Sequence, residues 1–280
     1  MQLTELIEKY TNEHSKFIEI DGLDVHYRDE GKGEVLLLIH GTFSSLHTFD
    51  QWTEILKSKY RIIRLDLPGF GITGPTLENK YSIQLFIEFI KDFLEAIKID
   101  KFSIAGNSLG GWMSWELALA CQNRVKKLIL LNSAGYINDR NYPLPFVIAQ
   151  TPFLRNAFSF IPKAVVRRFL RQVYCDQSLV TEDIVNRYYD LIHRHGNLAA
   201  FVKIANSFFV QNTHNLIELT IPVLIMWGDK DNWINLKHAH YFERDLPNSQ
   251  LVIYENVGHV PMEEIPERSA MDVINFLGKN

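Results

Sequence analysis

Residues 101–121 read KFSIAGNSLGGWMSWELALAC: a short apolar run over 101–105, a glycine-rich turn, then a helical pattern to Cys121. The turn, Gly106-Asn107-Ser108-Leu109-Gly110 with a further Gly111, fits G-x-S-x-G, in which a serine on a sharp strand-to-helix turn projects its hydroxyl clear of the backbone. Such a turn is strained, and its glycines keep side chains from colliding with the neighbouring strand and helix. The helix that follows aims its first N–H groups at developing negative charge. Ser108 is therefore the candidate nucleophile.

Outward from this turn, short β-branched runs alternate with helical patterns, the signature of βαβ units and a mostly parallel sheet. Strands are expected at 16–20, 24–28, 34–39, 60–65, 101–105, 125–131, 222–227 and 250–254. Helices are expected at 48–58, 82–97, 234–246 and 266–276, and Leu3, Leu6, Ile7 and Tyr10 space out a short docked helix at the start. Residues 66–74, DLPGFGITG, are turn chemistry, with Asp66 expected to end a strand and tie the turn down.

From 137 to 215 the alternation stops. Prolines and aromatics gather from Tyr142 through Phe158 to Pro162, and helical segments follow at 163–174, 181–194 and 198–209. This reads as a helical cap (137–215) inserted into one sheet domain built from 1–136 and 216–280. The basic residues Arg155, Lys163, Arg167, Arg168 and Arg171 read as a solvated face that could associate weakly with anionic surfaces.

The wider chain resembles the α/β-hydrolase superfamily, whose order is nucleophile, acid, histidine. Trp227-Gly228-Asp229-Lys230-Asp231 is similar to that family's acid turn, in which the second acid of G-x-x-D acts, so the resemblance selects Asp231 over Asp229. Gly258-His259-Val260-Pro261 resembles its histidine loop, and Glu264 and Pro266 continue the similarity. His40-Gly41-Thr42-Phe43 resembles its oxyanion loop. The resemblance thus implies an α/β-hydrolase fold, a mostly parallel central sheet flanked by helices, with Ser108, Asp231 and His259 as catalytic triad. It also implies an oxyanion hole of the Thr42 and Leu109 N–H groups, with Phe43 as the competing donor and His40 fixing the loop. The chemistry accounts for the residue types: serine needs a base, histidine titrates near neutral pH, and a buried carboxylate fixes the imidazole tautomer.

Serine at 108 sets the chain apart from the aspartate-elbow dehalogenases and epoxide hydrolases of the superfamily, and 40–43 does not match the longer oxyanion motif of proline iminopeptidases. Two chemistries remain, both on small molecules. Carboxylic-ester hydrolysis through an acyl-enzyme leads. Carbon–carbon hydrolysis of ring-cleavage products is the alternative: Asn107 and Gly111 resemble its elbow, whereas Thr42, Phe43 and Val260 depart from its HGGG loop and its tryptophan after the histidine. A non-catalytic ligand-binding protein on the same fold is a third reading.

Composition is consistent with this. The 280 residues are 46% hydrophobic with a formal net charge of −4, which argues against a general nucleic-acid binder. Cys121 and Cys175 have neither metal nor redox spacing, and no metal or cofactor motif is legible, so neither is expected. The opening residues lack a secretory leader's pattern and no apolar run approaches 20 residues, so a cytoplasmic protein without stable membrane insertion is expected.

Overall fold

The computed structural model describes residues 2–136, 143–153, 160–207 and 210–279; Tyr142, Arg155, Phe158 and Phe209 fall outside them. Eight strands form one sheet: β1 Ser15–Ile20, β2 Leu23–Glu30, β3 Val35–Ile39, β4 Arg61–Leu65, β5 Phe102–Asn107, β6 Val125–Leu131, β7 Val223–Gly228 and β8 Ser249–Tyr254. Their order is β1-β2-β4-β3-β5-β6-β7-β8. The β1–β2 and β2–β4 pairs are antiparallel, and every later pair is parallel.

The helices are α1 Leu3–Tyr10, α2 Asp50–Leu56, α3 Ile83–Ala96, α4 Leu109–Ala120, α5 Leu144–Gln150, α6 Lys163–Val173, α7 Glu182–Ile192, α8 Asn197–Ala205, α9 Lys237–Asp245, α10 Pro261–Glu264 and α11 Pro266–Leu277. Alternate strand residues serve opposite faces, as the two-residue period requires. Leu37, Ile39 and Ile104 join the core under α3, α4 and α9, while Leu36, Leu38 and Ala105 face α2 and α11. Burying each such aliphatic side chain stabilises the fold by roughly 1.5–3 kcal/mol, which is why β3 and β5 read as unbroken apolar runs. The α3 stripe is buried as its spacing predicts, and the Ser82 hydroxyl accepts the Leu85 N–H at 3.1 Å to start the helix.

After β3 the chain crosses to β4 on one side, and β5 returns on the other. The C-terminal ends of β3 and β5 thus lie side by side where the connections diverge, the usual ligand crevice of an open parallel sheet. Helices α5 to α8 lie between β6 and β7 in sequence, and Ala149, Val166, Leu170, Val185 and Phe201 from them pack into the α2–α11 side of the core.

Some expected boundaries move. The helix expected at 48–58 begins as a 3₁₀ turn, Leu46–Phe49, and that expected at 198–209 ends at Ala205. Helix α5 had no signal because Pro143 and Pro145 read as breakers, yet Pro143 caps the helix and Pro145 sits in its first turn, where a missing N–H costs nothing. Both cysteines are free, and among the described residues no helix is long and apolar enough to cross a membrane.

Candidate active site

β5 ends at Asn107 and α4 begins at Leu109, so Ser108 makes the turn alone, with φ +56° and ψ −119°. A non-glycine residue there is strained and must be held by its surroundings. The Ser108 N–H donates to the Leu131 carbonyl at 3.1 Å, and its own carbonyl accepts the N–H groups of Ala134 (2.9 Å) and Trp112 (3.2 Å). A side chain at Gly110 would run into the Ile39 carbonyl, and a Cβ at Gly41 would press on the Ser108 Cβ at 3.0 Å. Glycine at both positions lets α4 and the 40–43 loop close on the serine.

His40 fixes that loop, as expected. Its Nδ1–H donates to the Gly41 carbonyl at 2.8 Å and its Nε2 accepts the Leu67 N–H at 3.0 Å. This pattern needs a neutral ring, and complete burial pushes its pKa down against the pull of Asp66. Asp66, buried at the end of β4, receives the N–H groups of Leu46 and Ile72 and bonds His26 Nδ1, each at 2.8 Å. It ties the 66–74 turn to two other segments.

The loops after β7 and β8 bring Asp231 and His259 together. His259 Nδ1 lies 2.6 Å from Asp231 Oδ2, and both side chains are almost wholly buried. Asp231 Oδ1 accepts the N–H groups of Trp233 (2.7 Å) and Ile234 (3.0 Å). Asp229 is committed elsewhere: it accepts the Asn256 N–H at 2.7 Å and pairs with Lys230 at 2.6 Å. The other imidazole nitrogen, Nε2, is buried and makes no hydrogen bond among the described residues. His259 and Ser108 line one small cavity.

That cavity, of about 50 Å³, is walled on the far side by Val166, Leu170, Tyr188 and Ile192 from α6 and α7. Ser108, Thr42 and Trp233 also border a second cavity, of about 590 Å³, with Leu109, Trp112, Tyr136, Phe146 and Ile204. Trp112, expected in the core, is buried and also forms part of this wall. Thr42 and Leu109 thus border the larger cavity with Ser108; Phe43 borders the small cavity, with φ +63° and its ring 4.0 Å from that of Phe201.

Several further contacts organise the site, and two of the residues that make them, Asn132 and Glu263, were given no role from sequence. Asn132 Nδ2 donates to Asp231 Oδ2 at 2.7 Å, and Asn107 Nδ2 donates to the His259 carbonyl at 3.0 Å. The His259 N–H donates to the Val173 carbonyl at the end of α6 at 2.8 Å. Glu264 receives the N–H groups of Gly258 (2.7 Å) and Cys175 (2.8 Å). Glu263 gathers Thr48 (2.5 Å), Tyr174 (2.7 Å), Arg187 (2.8 Å) and Tyr188 (3.0 Å). Asn132, directly after β6, adopts the left-handed φ of +43° that asparagine tolerates. Apart from the Gly258–Glu264 bond, these contacts depend on partners 75 to 215 residues away. Of the basic run, Arg167 pairs with Glu182 at 2.5 Å, and Arg168 and Arg171 are exposed. Among the described residues no cluster of three or more His, Cys, Asp or Glu is arranged to hold a metal ion.

The sequence profile of the alpha/beta hydrolase fold matches residues 34–266. An uncharacterized hydrolase of Bacillus subtilis, YugF, is 28% identical over 268 residues, covering 92% of this chain and 96% of its own. The 2-hydroxy-6-oxononadienedioate/2-hydroxy-6-oxononatrienedioate hydrolase 1 of Dechloromonas aromatica is 28% identical over 276 residues, covering 94% of this chain and 95% of its own. Among solved structures, a meta-cleavage product hydrolase from Pseudomonas fluorescens superimposes with a TM-score of 0.81 at 25% identity, over 94% of this chain and 97% of that one.

Proposed function

The chain belongs to the α/β-hydrolase family, and on that premise we propose that it is a serine hydrolase cleaving carboxylic esters through an acyl-enzyme. Ser108 attacks the ester carbonyl, His259 Nε2 takes its proton, and Asp231 holds the Nδ1–H tautomer and stabilises the imidazolium. The N–H groups of Thr42 and Leu109 receive the oxyanion, a role supported by both residues lining the larger cavity with Ser108. His259 then protonates the leaving alcohol, and water activated by the same nitrogen releases the acid. The observation that carries the reading is the 2.6 Å His259–Asp231 bond, with the opposite ring nitrogen unpartnered at a cavity that Ser108 shares. Catalytic hydrogen bonds commonly close only once substrate is bound.

Carbon–carbon hydrolysis is the second reading, favoured by the relatives named as hydrolases of ring-cleavage dioates and by Asn107 in the elbow. A dioate brings carboxylates that require cationic or N–H partners when buried. Among the described residues no lysine or arginine borders the small cavity, and Arg187, next to Tyr188, is taken by Glu263, whereas Lys237 borders the large one. The small cavity thus offers a carboxylate no cation, which supports the ester reading, while Lys237 on the large one is the cation a dioate would need.

The test has two parts. A fluorophosphonate probe should label the wild type and not Ser108→Ala; equal labelling of both, or none of either, would favour a ligand-binding protein. Steady-state assays should find turnover of simple alkyl esters exceeding that of a dienoic diketone acid. The reverse order would establish the carbon–carbon reading.

A further inference from the structure

We infer that the two cavities divide an ester unequally: a compact alcohol sits in the small apolar chamber beside His259, and a bulky acyl group in the large one. This rests on the ester reading above. When the tetrahedral intermediate collapses, the bond between carbonyl carbon and alcohol oxygen breaks, and the proton on His259 Nε2 passes to that oxygen. The donor must be within about 2.6–3.2 Å of it. His259 borders the small cavity and is not part of the lining of the large one, although Ser108 and Thr42 border both. The departing oxygen therefore points into the small chamber, and the acyl group, still bound to Ser108, is left with the other.

The sizes then set the preference. About 50 Å³ lies on the alcohol side and about 590 Å³ on the acyl side. A single water needs on the order of 10–15 Å³ by this kind of measure, so the small chamber takes a few heavy atoms. Its far wall is braced against yielding. The Tyr188 hydroxyl donates to Glu263 at 3.0 Å, and Arg187, Tyr174 and Thr48 converge on the same carboxylate. The end of α6 is tied to the histidine loop through Val173 and Glu264. A chamber framed in this way selects by exclusion, and its selecting residues are Val166, Leu170 and Tyr188. None of the three has been given a part in the chemistry.

Methyl octanoate and heptyl acetate, isomers that exchange the large and small ends, give a direct test in kcat/KM. The wild type should prefer methyl octanoate by about tenfold or more, since a few methylenes in a fitted pocket are worth at least that. Leu170→Ala should raise the relative rate of heptyl acetate by about tenfold; Val166→Ala, a smaller truncation of the same wall, serves should Leu170→Ala fold poorly. Equal rates, a preference for heptyl acetate, or an unchanged ratio in a folded wall variant would overturn the assignment while leaving ester hydrolysis standing. Cleavage of neither isomer would instead remove the ester reading and this partition with it.

Discussion

Asn132 donates a 2.7 Å hydrogen bond to Asp231 Oδ2, the same oxygen that lies 2.6 Å from His259 Nδ1. With the Trp233 and Ile234 N–H groups on Oδ1, four donors surround one buried carboxylate. Such a shell leaves no oxygen of the group unpartnered and fixes its plane. The strand end that carries Ser108's supporting carbonyl, Leu131, thus continues into the residue that aims the acid. Asn132→Ala should lower kcat by about tenfold with little change in KM, because a hydrogen bond to a charged group is worth about 1.5–3 kcal/mol and this one matters most when the imidazolium forms. Michaelis–Menten analysis on one alkyl ester decides it; a higher KM with kcat intact would assign Asn132 to substrate binding instead.

The two acids after β7 should separate cleanly under substitution. Asp231→Asn replaces an acceptor facing Nδ1 with a group that can favour the wrong tautomer, and the cost of that change is about 10⁴ in kcat. Asp229, tied to Lys230 and the Asn256 N–H, has no line to the imidazole, so Asp229→Asn should stay within about threefold of wild type. Rates of both variants measured side by side check the assignment; comparable losses would mean that the turn, and not one carboxylate, is what matters.

How far these residues could be read from the chain follows from the range of the forces that place them. Gly106–Gly111 and the β3 and β5 runs are local patterns set by sterics and burial, and the sheet followed from them. Ser108, Asp231 and His259 lie in the loops after β5, β7 and β8, and the resemblance of those loops to the family's motifs is what singled them out. Glu263 and Asn132 were opaque because their roles lie in partners far along the chain, such as Thr48 and Tyr174 for the first and Asp231 for the second. Helix α5 was hidden for a different reason: its prolines signal a break in the interior of a helix but are tolerated in the first turn.

Glu263 joins the inserted helices to the core through four donors, one of them the largely buried Arg187 guanidinium. Glu263→Gln leaves that charge without its counter-ion, which in buried pairs costs about 3–5 kcal/mol. Urea denaturation should register a loss of this order. Adding Arg187→Met should restore a good part of it, since a pair removed together leaves no orphaned charge. Equal midpoints for the single and double variants would mean that the tyrosines, and not the ion pair, make the hub.

Acid should destabilise the fold through His47 as pH falls below about 6.5. The ring is buried, its Nε2 lies 2.8 Å from the Tyr10 carbonyl and 3.2 Å from the Arg28 guanidinium, and its Nδ1 lies 3.0 Å from the Ser45 hydroxyl, surroundings that favour the neutral form. Burial lowers its pKa from 6.5 to about 4, with Arg28 and Arg187 adding to the effect and Asp50 and Asp66 opposing it. Between those two values the unfolded chain binds a proton that the folded chain refuses, so unfolding becomes easier as pH falls across the window. At 1.36 kcal/mol per pH unit the loss approaches roughly 3 kcal/mol by pH 4. His40, also held neutral by burial, contributes in the same direction. Asp66, whose pKa is depressed below 3.8 against its own desolvation by the bond to His26 and by the nearby His47 and His40, withdraws its stabilisation only below about pH 4. Urea midpoints at pH 7.5, 6, 5 and 4.5 should therefore fall steadily in the wild type and less steeply in His47→Gln. An identical slope in both proteins would show that the proton enters elsewhere.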